Sequence, residues 1–105
     1  MGLSELGRFS DPSLLILTSL ASGPKHGYAM MEDIEAVSGV KLGPGTLYGA
    51  LTRLEQRGWI AGLPSGDRRR PYQLTPAGDA ALREHLLSLE SFARLGLARL
   101  SMSPG

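Results

Sequence analysis

Cysteine is absent from the 105-residue sequence, which excludes disulfide bonds, thiolate metal sites and cysteine nucleophiles. Long hydrophobic runs are also missing. The longest, Leu14 to Leu20, is interrupted by Thr18 and Ser19 and is far shorter than the roughly 20 residues needed to cross a bilayer. We therefore expect no membrane partner. The first ten residues carry charged side chains and no apolar segment, so they are not expected to be a secretory signal peptide.

A catalytic or metal-binding motif is lacking as well. The two histidines, His26 and His85, have no partner at the spacing of a metal site or a catalytic cluster. The segment Gly43 to Thr46 lacks the Gly-Lys-Ser/Thr ending of a phosphate-binding loop. We therefore predict that the protein is not an enzyme and has no metal site and no cofactor.

The remaining composition is that of one small globular domain. The chain is 42% hydrophobic and 20% charged, and its length allows a single core. The net charge of +1 conceals an uneven distribution. Residues 41–72 contain six basic and two acidic residues, a net charge of +4, while the rest of the chain carries −3. Such a segment can attract a polyanion, although a solvated basic surface explains the charge alone equally well.

Helix-start and helix-stop signals divide the chain into a small number of elements. Asp11-Pro12 and Thr75-Pro76 each combine a capping side chain with a proline at the first helical position. Leucines at helical spacing mark a third helix that ends before Gly58. The predicted elements are helices over residues 12–21, 27–37 and 44–57, a two-stranded hairpin over 59–75, and a last helix over 76–100.

This order predicts a mainly α fold with a small β-hairpin (α+β), the plan of a winged helix-turn-helix domain. We expect a flexible tail over residues 1–10, a DNA-binding domain over 11–75, a dimerisation helix over 76–100 and a second tail over 101–105. Pro71 has no N–H to donate, so we expect the second strand to lie at the edge of the sheet.

The third helix is suited to the major groove of DNA, which admits one α-helix and displays base edges to it. Gly45 and Gly49 lack side chains and would let the helix backbone approach the duplex. Three adjacent arginines beyond the hairpin tip would point to alternate faces of a strand, so we expect two to reach a phosphate or the minor groove and one to lie along the sheet. A solubilising charged loop is the alternative for this run alone. The residues assigned to DNA from these patterns are Gly45, Thr46, Tyr48, Gly49, Thr52, Arg53, Gln56, Arg68, Arg69 and Arg70.

The last helix carries more leucine than one small domain could cover. Leu82, Leu86, Leu89 and Ala93 alternate at spacings of four, three and four, a heptad-like pattern that favours a homodimer. Packing across the core of its own chain is the alternative. The residues predicted at the dimer interface are Leu14, Leu17, Leu82, Leu86, Leu89, Phe92, Ala93, Leu97 and Leu100.

Four short motifs, in order, resemble the PadR family of bacterial transcriptional regulators. They are Leu14–Leu17 with Gly23–Tyr28, Gly45–Tyr48, Gly58–Ile60 and Arg70–Gly78, and the resemblance covers about residues 14–100. It implies a homodimeric winged helix that represses a nearby gene and is often released by a small molecule. It also implies that Tyr28, Lys41, Thr46, Tyr48 and the hairpin arginines lie at or near DNA. We assign Lys25 to the DNA-binding residues as well.

The sequence therefore predicts a DNA-binding transcriptional regulator, acting as a homodimeric repressor on a palindromic operator in the bacterial cytoplasm, on the nucleoid when bound to DNA. The single last helix leaves no room for a separate effector domain, so a small hydrophobic or aromatic effector would bind at the dimer interface. The alternative is a winged-helix interaction or assembly module whose basic surface meets an acidic protein partner.

Overall fold

The computed structural model describes residues 11–65 and 70–102. The described elements are α1 (Pro12–Leu20), α2 (Gly27–Ser38), α3 (Pro44–Gln56), β1 (Ile60–Gly62), β2 (Tyr72–Leu74) and α4 (Pro76–Met102). This order confirms the predicted fold class. Arg68, Arg69 and the predicted tail over residues 1–10 lie outside the described residues. Helix α4 continues past its predicted end at Leu100.

Local capping contacts explain where the helices begin. The backbone N–H of Ser13 donates to the Asp11 carboxylate at 3.0 Å, and the N–H of Gly78 donates to Thr75 Oγ1 at 3.1 Å. Both are the predicted cap-then-proline starts. The cap of α2 is His26, whose Nδ1 accepts from the N–H of Ala29 at 3.4 Å. Histidine is not a usual cap residue, so the sequence did not indicate this contact.

The core lies where α1 meets the other three helices and the hairpin. Helix α1 contacts α2, α3, α4 and β2, which explains why it is apolar around most of its circumference. The largest fully buried side chains come from α1, α2, α3 and β1: Ile16, Met30, Ile34, Leu47, Leu51, Leu54 and Ile60. This core fixes the orientation of α3, which is the helix predicted to read DNA.

The hairpin gains a third partner outside its two strands. Strands β1 and β2 pair antiparallel, with Ile60 opposite Leu74 and Gly62 opposite Tyr72. Tyr72 also pairs with Lys25 on its other side, through backbone hydrogen bonds of 3.1 and 2.9 Å. Tyr72 therefore has backbone partners on both sides, although β2 is an edge strand of the two-stranded sheet, as predicted. Pro71 is tolerated because it precedes β2, where its carbonyl accepts from the N–H of Leu63 at 2.8 Å.

Helix α4 is attached to the domain at its first turns and then projects away from it. Gly78 and Leu82 are its buried residues among those described, and the molecule extends 62 Å along its longest axis. The side chains from Leu86 onward are mostly exposed. The alternative that α4 simply packs across its own core is therefore not what the fold shows.

Candidate nucleic-acid interface

Helix α3 has one buried face and one open face. Leu47, Ala50, Leu51 and Leu54 are buried, as the leucine spacing predicted. The residues predicted to face DNA fall between them: Gly45, Thr46, Tyr48, Thr52, Arg53 and Gln56 are exposed and Gly49 is partly exposed. The fold therefore brings the predicted recognition residues of α3 onto one accessible surface, which we call the α3 face.

The two glycines of the α3 face are not required by the fold of the chain. A Cβ atom at Gly45 would meet nothing within 4 Å, and one at Gly49 would lie 3.7 Å from an Arg53 guanidinium nitrogen, an ordinary contact. Neither glycine has positive φ. A glycine inside a helix costs about 1 kcal/mol relative to alanine. The packing of the described residues therefore gives no reason for a glycine at either position.

Tyr48 occupies the junction between α3 and the start of α2. Its side chain is 49% exposed, and its phenol lies against Gly27, the first residue of α2. Its carbonyl accepts a hydrogen bond from Thr52 Oγ1 at 2.9 Å. Tyr28 is also exposed on α2. No sequence pattern indicated that Gly27 and Tyr48 would touch, because the two residues belong to different helices.

The basic residues of the predicted interface differ in how they are engaged. Within the described parts of the chain, no hydrogen bond or ion pair engages the exposed side chains of Lys41 and Arg53. The guanidinium of Arg57 lies 5.2 Å from the centre of the Trp59 ring. Within the predicted interface, Lys41 and Arg53 are consequently the described bases most available to a phosphate.

Arg70 is held by its own chain. Its guanidinium forms an ion pair with Glu55 of α3 at 3.3 Å and lies 5.7 Å from the centre of the Tyr72 ring. It also packs directly on Gly62, where a Cβ atom would overlap it. Arg70 therefore links the hairpin to α3, and a phosphate would have to compete with Glu55 for it.

Lys25 is likewise engaged within the fold. Its ammonium donates to the carbonyl of Ser19 at 2.5 Å and to Ser22 Oγ at 2.6 Å. These contacts satisfy groups at the C-terminal end of α1, where a positive charge is also favoured by the helix dipole. This geometry favours a capping role for Lys25, and its contact with DNA stays a prediction.

The predicted dimer residues separate into two groups. Leu17 and Leu82 are only 5% and 6% exposed, so they belong to the core of this chain and offer little surface to a partner. Their assignment to the interface needs that correction, because apolar periodicity marks burial without saying what covers the residue. The other group is open or partly open: Leu14, Leu86, Leu89, Phe92, Ala93, Leu97 and Leu100.

A cavity of about 400 Å³ lies between α1, Trp59 and α4. Leu14, Leu17 and Leu82 line it together with the Trp59 ring, and Asp11 and His85 are polar groups on its wall. It therefore combines apolar surface with an aromatic ring, beside the α4 helix. The helices in the described parts of the chain include none suited to crossing a membrane, and their side chains form no group arranged to hold a metal ion.

Comparison with known proteins gives concordant matches. The model of the PadR-like family of transcriptional regulators matches residues 16–84. A transcriptional regulator of Mycobacterium tuberculosis is 38% identical over 95 residues, covering 88% of each chain. A 37.1 kDa protein in a transposon of Streptomyces fradiae is 49% identical over 82 residues, which are 78% of this chain and 24% of that protein. This chain thus spans about a quarter of the transposon protein.

A solved structure supports the same comparison. The crystal structure of a PadR family transcription regulator from Clostridium difficile aligns with a TM-score of 0.74 at 26% identity. The alignment covers 85% of this chain and 97% of that one. The similarity therefore extends from the winged helix-turn-helix domain into α4.

Proposed function

The chain belongs to the PadR-like family of transcriptional regulators, and on this premise we propose that it is a homodimeric repressor that binds a palindromic operator. The Mycobacterium tuberculosis relative is a transcriptional regulator, and we propose no enzymatic activity for this chain. The proposed site is the α3 face together with Lys41, Tyr28 and Arg70, and the sequence-based assignment of Arg68 and Arg69 to the same site stays a prediction. Such a regulator would work in the cytoplasm, on the nucleoid when bound to its operator.

One observation carries this proposal: the α3 face contains two glycines that the fold does not need. A nearby basic residue or a half-exposed tyrosine is common on a protein surface. Helix-weakening glycines on an exposed face are a gain where another molecule must approach the helix backbone closely. A DNA backbone pressed against α3 in the major groove supplies that gain, since the groove is only wide enough for one helix.

Binding to DNA can be tested by its dependence on salt. We expect the affinity for a duplex selected from a random pool to fall steeply with salt, with a slope of about −0.9 per neutralised phosphate on a log–log plot. Thr46→Ala should weaken the selected duplex more than an unrelated one. Lys41→Ala should weaken both about equally and reduce the slope by about one phosphate. Fluorescence anisotropy across a salt series measures all three quantities.

A flat salt dependence would contradict the proposal. It would favour the alternative in which the winged helix is an interaction module for a protein partner. Equal losses for Thr46→Ala on selected and unrelated duplexes would instead show that α3 does not read bases, even if the chain binds DNA.

Substitution of Gly49 should separate stability from binding. We expect Gly49→Ala to raise the free energy of unfolding by about 0.5–1 kcal/mol, because alanine favours the helix and meets only ordinary contacts. The same methyl group should lower DNA affinity by holding the backbone of α3 away from the duplex. Urea unfolding and anisotropy measure the two effects. Ala80→Gly, at an exposed position of α4 outside the predicted interface, is the reverse control: it should lower stability by a similar amount and leave DNA affinity unchanged.

The proposal includes a small hydrophobic or aromatic effector that releases the repressor. The cavity between α1, Trp59 and α4 supports it, because its volume of about 400 Å³ lies within the range of small-molecule sites. A ligand there would touch the base of α4 and alter its angle to the DNA-binding domain. Titration with aromatic compounds, followed by Trp59 fluorescence and by loss of DNA binding, tests this. Saturable quenching that leaves DNA affinity unchanged would contradict the effector role.

A further inference from the structure

The backbone conformation of Gly27, the first residue of α2, does not require a glycine. It has no positive φ, so its conformation is open to any residue, and alanine would favour the helix. Its side-chain space, however, is already filled. A Cβ atom at Gly27 would overlap Tyr48 Oη, lie 2.8 Å from Tyr48 Cζ and lie 3.3 Å from Leu47 Cδ2. The phenol of Tyr48 therefore rests directly on the Gly27 backbone.

The support beneath this phenol is firmly held. Gly27 is buried and follows His26, which caps α2 through its bond with Ala29. Lys25, one residue earlier, is paired through its backbone with Tyr72 of the hairpin. The segment from Lys25 to Gly27 thus connects the hairpin to the phenol of α3. Tyr48 itself is half exposed, so its ring is free to turn outward if the support is altered.

We propose that Gly27 is a positioning residue for operator recognition: its missing side chain fixes the Tyr48 phenol in the orientation that reads the operator. This inference rests on the proposed function, since it presupposes that the α3 face reads DNA. Gly27 need not touch the duplex. It acts through Tyr48, and a methyl group at position 27 would displace the ring while most of the fold stays in place.

A double-mutant cycle measures this dependence. The readout is the specificity ratio, the affinity for the selected operator divided by that for an unrelated duplex. We expect Gly27→Ala and Tyr48→Ala each to lower it about ten-fold, within the range for loss of one base-reading side chain. In the Tyr48→Ala background, Gly27→Ala should have no further effect. A purely structural defect would lower the affinities for the operator and for the unrelated duplex by the same factor, and would leave the specificity ratio unchanged.

NMR gives a second readout that does not depend on DNA. Nuclear Overhauser effects between the α protons of Gly27 and the ring protons of Tyr48 should be strong in the wild-type chain. They should weaken or shift in Gly27→Ala. Their absence in the wild-type chain would overturn the inference, as would an unchanged specificity ratio in Gly27→Ala or the same loss with and without Tyr48.

Failure of the proposed function would look different from failure of the inference. If the chain does not read DNA, the specificity ratio of the wild-type chain is close to one and the Overhauser effects persist. That result overturns a role of Gly27 in operator recognition together with the proposed function. If only the inference fails, the wild-type ratio is high and depends on Tyr48, but the effects of the two substitutions are additive.

Discussion

Replacement of Leu86 or Leu89 by aspartate should convert the protein from a dimer to a monomer and lower its affinity for a palindromic site by about a hundred-fold or more. Both leucines lie on the part of α4 that leaves the domain, where Leu86 is 43% exposed and Leu89 is partly exposed. An aspartate buried against a partner helix would lose its hydration without gaining an opposite charge. Sedimentation equilibrium gives the mass, and anisotropy gives the affinity.

The large effect on DNA follows from the geometry of a two-fold complex. Two recognition helices about 34 Å apart enter successive major grooves, and the second binds at the high effective concentration set by the first. A monomer keeps its α3 face but loses this gain. Its affinity for a single half-site should therefore stay close to the wild-type value for that half-site.

The control for this experiment is Ala80→Asp. Ala80 is exposed near the start of α4, lies outside the predicted interface and receives the same negative charge. This variant should remain a dimer with wild-type affinity. A dimer of unchanged mass in both Leu86→Asp and Leu89→Asp would reject this face of α4 as the interface, provided that circular dichroism shows the helices to be intact.

The elements of the fold could be predicted because their signals are local. Asp11-Pro12 and Thr75-Pro76 start helices through contacts within three residues, and the leucines of α3 bury one face because of helical periodicity alone. The residues of the α3 face could be predicted from the same periodicity, because they are the positions of α3 that lie between its buried leucines. Nothing about these features requires knowledge of a distant part of the chain.

The contacts that the sequence could not predict join distant segments. The pairing of Lys25 with Tyr72 gives this residue of β2 a second backbone partner, and the ion pair of Arg70 with Glu55 ties the hairpin to α3. Neither has a local signature. The sequence also could not show that Leu82 is buried while Leu86 is exposed. Both leucines fit the same heptad-like pattern, but only Leu82 is covered by its own chain.

The methyl group added by Gly78→Ala should destabilise the domain more than one added at any other described glycine. We expect it to lower the free energy of unfolding by about 3 kcal/mol. A Cβ atom at Gly78 would overlap the Trp59 carbonyl oxygen and lie 2.8 Å from its carbon. That carbonyl is backbone and accepts from the N–H of Thr75 at 3.1 Å, so it cannot turn aside as a side chain can. Relief requires α4 to move away from the hairpin, which breaks the contacts that attach it.

The control for Gly78→Ala is Gly96→Ala, the same substitution in the same helix. A Cβ atom at Gly96 meets nothing within 4 Å, so helix propensity should raise its stability by about 1 kcal/mol. Urea unfolding of both variants at one protein concentration removes the contribution of dimer dissociation from the comparison. If Gly78→Ala were as stable as Gly96→Ala, the first turn of α4 would not be packed on Trp59. The rigid attachment that sets the angle between α4 and the DNA-binding domain would then have to lie elsewhere.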